Sequence, residues 1–317
     1  MFSLLMVLCA GMTSIAQDEM YYTGLVIDNE AYEKIPQKAE LLTRDYTSLP
    51  DSYSLRKYCP KVGSQGSHGT CTAWSTTYAA RTIAEAVKWG WTNQEVITAE
   101  AFAPLFIYAQ IKDQSDSLCL KGTRMDLALK MLKTKGAPKM KNFGVKCADY
   151  VPKWILDEAE EYPIDDYFTL FNYHCTSFEE KVNKTKKALS QDRPVLINML
   201  FPSSFFRTGD VWQGNPENAP ARLYHAMCVV AYDDHKEGGA FQIMNSWSDT
   251  WGNGGYTWVK YADYVKYVDW AFEIYVKKVR YPELITKKPE IIVPEPQDES
   301  EKEPIKIGRH TSESSHT

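Results

Sequence analysis

The run Gln65-Gly66-Ser67-His68-Gly69-Thr70-Cys71-Thr72-Ala73-Trp74 sets a glutamine six positions ahead of a cysteine, with small residues between them. That arrangement suits a nucleophile at a helix N-terminus beside a side-chain amide donor. An ordinary thiol, with a pKa of about 8.5, is mostly protonated at neutral pH. An adjacent imidazole and the positive end of a helix both favour the thiolate. Far downstream, Leu223-Tyr224-His225-Ala226-Met227 supplies an imidazole, and Asn245-Ser246-Trp247 supplies an amide to fix its tautomer. Trp247 is placed to cover the Asn–His hydrogen bond and keep water from it. Attack on a carbonyl creates an oxyanion, which the Gln65 amide and the Cys71 N–H can bind. Singly, each residue has a bland explanation, since a lone cysteine is usually a small buried hydrophobe. Together, in this order, they point to thiol chemistry, with Cys71 and His225 expected to form a thiolate–imidazolium pair.

Two kinds of element must position these groups. Residues 73–88 contain no Gly or Pro and stop before Gly90, as a central helix should. Residues 102–111 and 125–133 also read as helices, the latter with Leu127, Met131 and Leu132 at helical spacing. From about residue 195 the texture changes to strands at 194–200, 224–232, 240–245, 256–260 and 270–277, with a hairpin turn at 233–239. Helices in front and strands behind give an α+β protein of two lobes rather than alternating βαβ units.

The 317 residues are 44% apolar with a net charge of −5, which suits a globular chain and gives no electrostatic footprint for nucleic acid. Residues 1–17 carry no charged side chain, hold an apolar run too short to span a bilayer and end in Ser14-Ile15-Ala16. They are expected to be a cleavable signal peptide, which makes the protein exported, periplasmic or secreted. Residues 18–47 form a short leader, with a strand expected at 21–28 and a helix at 32–43, packed on the body as permanent structure. The main domain is expected over 48–282. Residues 283–317, dense in proline and charge, form an acidic, proline-rich tail expected to be largely disordered.

Gln65-Gly66 with Gly69-Thr70-Cys71, His225-Ala226 on a strand, and Asn245-Ser246-Trp247 with Trp251-Gly252 and Gly255-Tyr256 resemble the papain-like (C1-type) cysteine peptidases. The resemblance covers roughly 48–282. It implies a papain-like two-lobed fold: a helical left lobe carrying Cys71, an antiparallel β-barrel-like right lobe carrying His225 and Asn245, and the cleft between them. It also implies peptide hydrolysis through a thioester, with Gln65 in the oxyanion hole and Gly122 and Trp247 at the substrate. Three departures stand out. His68 occupies the place of a cysteine that the family often bridges to one near the glycine wall, so Cys119 loses that partner. Thr72 replaces the common tryptophan, and residues 18–47 are far shorter than the family's helical prosegment.

Of seven cysteines, Cys9 falls in the signal and Cys71 is the nucleophile, so an odd number remains and at least one stays unpaired. Cys228 reads as core. Cys59, Cys119, Cys147 and Cys175 allow three pairings, or none. No ligand spacing supports a metal, no cofactor is implied, and the partners expected are peptide or protein substrates, with neither nucleic acid nor a membrane. Two rivals share the site: a cysteine acyl-transfer enzyme (transglutaminase-like or amidase) and a non-catalytic peptide-binding protein on the same fold.

Overall fold

A computed structural model describes residues 22–39, 49–215 and 223–277. The expected signal peptide, residues 18–21 and 40–47 of the leader with the end of its expected helix, residues 48, 216–222 and 278–282 of the expected main domain, and the tail lie outside the described residues.

The central helix runs through Cys71–Ala73, Trp74–Arg81 and Thr82–Trp89 without a break, its middle stretch wound as a wider π-helix. It stops where Gly90 adopts a left-handed conformation, φ 68°. The wide stretch follows a run of hydroxyls that bond back onto the preceding turn: Ser75 and Thr76 both donate to the Thr72 carbonyl, at 3.0 and 2.8 Å. Every residue from Cys71 to Ala86 is buried, so this helix is the left lobe's core rather than its surface. Helices Pro104–Ile111 and Met125–Thr134 pack beside it, the second presenting Met125, Ala128, Leu129 and Leu132 inward.

The right lobe is an antiparallel sheet built from β1 (Ser52–Ser54), β2 (Asp166–Thr169), β3 (Val195–Phe201), β4 (Leu223–Asp233), β5 (Ala240–Met244), β6 (Tyr256–Lys260) and β7 (Val268–Tyr275). The strand order is β2-β7-β3-β4-β5-β6, with β1 on β4, so the sheet is open and the barrel does not close. Five of these strands fall where apolar residues cluster in the sequence. β1 and β2 are short and carry no such signal. Helix Phe178–Ser190, unexpected from its lysine-rich composition, starts at Ser177, whose hydroxyl accepts the Glu180 N–H at 3.2 Å.

The leader differs from expectation. Its helix is Asn29–Glu33, capped by Asp28 and ended ahead of Pro36, and residues 22–28 run extended with a single bridge, Leu25 to Thr123, instead of forming a strand.

Candidate active site

Cys71 opens the central helix and is fully buried. Backbone N–H groups of Ala226, Gly24 and Thr72 surround its sulfur. The Ala226 amide, adjoining His225, brings the two lobes together at this atom.

His225 sits on β4 with no exposed surface. Its Nε2 lies 2.7 Å from Asn245 Oδ1, which also accepts the Ser246 N–H at 2.7 Å. An oxygen that already accepts from a backbone N–H must be the acceptor again, so His225 Nε2 carries the proton. The other nitrogen, Nδ1, is left as a lone pair with no hydrogen-bond partner among the described residues. A ring held this way is a base in waiting. Trp247 stacks on it, centroids 4.4 Å apart and planes 21° apart, and Phe201 meets its edge. Trp247 thus shields the Asn245–His225 bond as its place in the sequence suggested.

Gln65 is positioned by a residue that sequence reasoning left without a role. Ser246 Oγ donates to Gln65 Oε1 at 2.7 Å, and the Gln65 N–H donates to the Ser246 carbonyl at 2.8 Å. The side-chain oxygen is thereby occupied and the amide NH2 is turned toward the cleft. The signal lay in Asn245-Ser246-Trp247 itself: a hydroxyl between two site residues needs a partner once buried. Thr72 also has work at its departure from the family pattern. Its hydroxyl donates to the Thr123 carbonyl at 3.0 Å, tying the helix that carries Cys71 to the segment that carries Gly122. Gly122 takes φ 79° and donates its N–H to the Tyr108 hydroxyl at 3.1 Å.

The leader runs through this site. The Gly24 N–H donates to Cys71 Sγ at 3.2 Å, and Gln65 Nε2 and Trp247 Nε1 both donate to the Tyr22 carbonyl, at 3.0 and 3.2 Å. Farther along, Thr123 N donates to Gly24 O at 2.8 Å and Val26 N to Thr123 O at 3.1 Å. The leader's backbone passes between two other glycines. A Cβ on Gly24 would lie 1.8 Å from the Gly69 carbonyl oxygen, and one on Gly122 would lie 2.2 Å from the Gly24 oxygen.

Among the described residues, no leader peptide bond is set for attack. The sulfur meets the Gly24 N–H, while the amide NH2 expected to hold an oxyanion is on the Tyr22 carbonyl, a different peptide. Nucleophilic attack needs the same carbonyl at both places.

Charge follows the same occlusion. Burial pushes the Cys71 thiol up from its ordinary pKa, with the surrounding N–H groups only partly offsetting it. Burial lowers His225 to about 4, opposed by its bond to Asn245. In this occluded geometry burial favours the neutral form of each group, the direction opposite to that of the expected ion pair. The reason is physical: both groups are cut off from solvent, and the leader offers the sulfur only the Gly24 N–H, which offsets part of the burial.

Among the described residues the remaining cysteines form one bridge, Cys119–Cys147, with Cys59, Cys175 and Cys228 free and buried. Cys119, expected to lack its usual partner, pairs instead with a residue 28 positions on. His68 places its Nδ1 3.2 Å from the Gln65 carbonyl, at the rim of the same loop. Among the described residues no group of three or more His, Cys, Asp or Glu side chains is arranged to hold a metal ion, and no helix is long and apolar enough to cross a membrane.

Comparison with known proteins gives one consistent result. Residues 49–271 match the family described as papain family cysteine protease. Cysteine protease XCP2 of Arabidopsis thaliana is 25% identical over 245 residues, 75% of this chain and 63% of that protein. A cysteine protease of Blomia tropicalis is 26% identical over 239 residues, 73% of this chain and 67% of its own length. The chain thus spans about two thirds of the length of these relatives. Among solved structures, xylellain, a cysteine protease from Xylella fastidiosa, superposes with a TM-score of 0.63 at 19% identity, covering 82% of this chain and 96% of its own. That likeness is one of fold.

Proposed function

The chain belongs to the papain family of cysteine proteases, and on that premise we propose that it is an exported peptidase that cleaves peptide bonds with Cys71. Cys71 attacks the carbonyl carbon and His225 Nδ1 takes the thiol proton. His225 then gives the proton to the leaving amine, and water releases the acyl group from the thioester. Asn245 holds the imidazole, and the Gln65 NH2 and Cys71 N–H bind the oxyanion. Gly122 flanks the substrate backbone, and Trp247 keeps the Asn245–His225 bond dry. The observation that carries this reading is the His225 tautomer: Nε2–H locked on Asn245, Nδ1 unpartnered, on a strand whose next amide lies against the Cys71 sulfur.

The acyl-transfer rival would need a site for an amine, and the non-catalytic rival leaves the locked tautomer without a purpose. Labelling with a thiol-directed epoxysuccinyl probe and hydrolysis of a peptide library, on protein with the cleft opened, test the proposal. Cys71→Ala and His225→Ala should each remove turnover while remaining folded, and Gln65→Ala should lower kcat by on the order of 10²–10³. Undiminished turnover in Cys71→Ala would end it.

A further inference from the structure

The leader is attached in two different ways along its length. Residues 22–27 are held in the cleft mainly through backbone groups, with Leu25 and Ile27 resting half-buried against the core; only Gly24 is fully buried and Val26 is exposed. Residues 29–38 are held through the sheet's own core. Tyr32 is 1% exposed and lies between Trp270, stacked at 5.2 Å, and Phe272, edge-on at 5.0 Å. Its hydroxyl donates to the Phe171 carbonyl at 2.6 Å and accepts the Ala271 N–H at 3.2 Å. Trp270 Nε1 donates to Asn29 Oδ1 at 3.1 Å. Thr169 N donates to Pro36 O and Lys38 N to Thr169 O, extending the β2 edge, and the Lys38 ammonium reaches the buried Glu273 carboxylate at 2.9 Å. Asp28 stands at the join, capping the leader helix and pairing with Arg124 at 2.6 Å where both are about a third exposed.

We propose that opening the site displaces only residues 22–27, a plug, while residues 29–38 stay as a permanent layer of the sheet lobe. Gly24 is the residue that lets the plug seat. The inference rests on the peptidase reading of the site, and it names how that site is regulated. Only a glycine fits at 24: a Cβ there would stand 1.8 Å from the Gly69 carbonyl oxygen, and the Gly69 backbone is itself tied to the opposite wall by its N–H bond to the Cys119 carbonyl at 2.7 Å. The plug can therefore be unseated by one methyl-sized group, without touching Cys71, His225 or the fold. Removing Tyr32, by contrast, opens a hole beneath Trp270 and Phe272.

The test uses the full chain as wild type, Gly24→Val and Tyr32→Ala. Iodoacetamide labelling of Cys71 is read by peptide mapping, beside Tm and peptide hydrolysis. A plug seated even about 90% of the time suppresses labelling roughly tenfold, so Gly24→Val should label on the order of tenfold faster or more. Its Tm should stay close to wild type. Tyr32→Ala should lose roughly 6 °C or more of Tm, or fail to fold, as core truncation does. Labelling of Gly24→Val at the wild-type rate overturns the plug. Tyr32→Ala with wild-type Tm and labelling as fast as Gly24→Val overturns the permanent anchor, because the leader would then leave as one piece. Fast labelling of Gly24→Val with no peptide hydrolysis supports the plug and sinks the peptidase reading. Equal labelling with hydrolysis intact does the reverse.

Discussion

His225 makes the occluded site sensitive to acid. The ring is wholly buried, stacked on Trp247, and held neutral with its pKa lowered to about 4 by burial. An exposed histidine titrates near 6.5. Between these values the unfolded chain binds a proton that the folded chain refuses, so stability falls as pH drops through that window. Above it the contribution is complete, and below about 4 both states are protonated and nothing more is lost. A shift of this size corresponds to roughly 3 kcal/mol, most of which is spent between about pH 6.5 and 4.5. Urea unfolding of wild type and His225→Gln at about pH 7 and 4.5 checks this, because carboxylates titrate alike in both and cancel in the difference. Wild type should lose on the order of 2–3 kcal/mol more than the variant. Equal losses would mean that the imidazole is not held neutral. At this scale the four residues proposed for chemistry were legible in the sequence, since thiol, imidazole and two amides at those spacings have few other joint uses. Ser246, Tyr22 and Gly24 were not. Their roles come from what lies opposite them in space, and nothing in Tyr22-Thr23-Gly24 announces a sulfur as its neighbour.

Among the elements, the central helix was read correctly by its lack of breakers and by Gly90, but its wide middle was not. That stretch carries Arg81, whose guanidinium is 1% exposed and pairs with Glu85, 3% exposed, at 2.6 Å. Glu85 also accepts the Trp89 Nε1–H at 2.7 Å. Charges this deep are costly to bury and tolerable only as a pair. Glu85→Ala should therefore cost roughly 3–5 kcal/mol by leaving Arg81 buried and unpaired. The double change Arg81→Met with Glu85→Leu should recover most of it, because the desolvation cost vanishes with the charges. A double variant as unstable as the single one would show that the helix depends on the ion pair itself. Such a pair is invisible to periodicity, which reads Arg and Glu at i and i+4 as a solvated face. Helix Phe178–Ser190 was missed for a related reason: Lys181, Lys184, Lys186 and Lys187 look like surface, yet the Lys181 ammonium is buried and bonds to the carbonyls of Val265 and Val268. Its Ser177-x-x-Glu180 start was present and could have found it.

At the scale of the whole molecule, chain order and lobe order agree, with the proposed nucleophile, Cys71, on the first lobe and its proposed base, His225, on the second. Cysteine connectivity does not follow from such order, because it depends on which loops meet. Cys119 and Cys147 meet with Cα atoms 5.6 Å apart, a spacing that a bridge accommodates. The Cys119 carbonyl accepts the Gly69 N–H at 2.7 Å, and Asp116 accepts the Leu120 N–H at 3.0 Å, so residues 116–122 form one braced wall of the cleft. The bridge closes a loop of 28 residues, for which chain entropy gives about 3–4 kcal/mol of stabilisation. Cys119→Ala with Cys147→Ala should lose about that much in urea unfolding, by an amount that does not change with pH. Because Thr123, the next residue after this wall, pairs with Gly24 and Val26, the double variant should also seat the plug less often and label faster at Cys71. Wild-type labelling together with a large stability loss would separate the two effects and confine the bridge to holding the loop. A loss below about 1 kcal/mol would instead mean that the braces at Asp116 and Gly69 hold this wall without it.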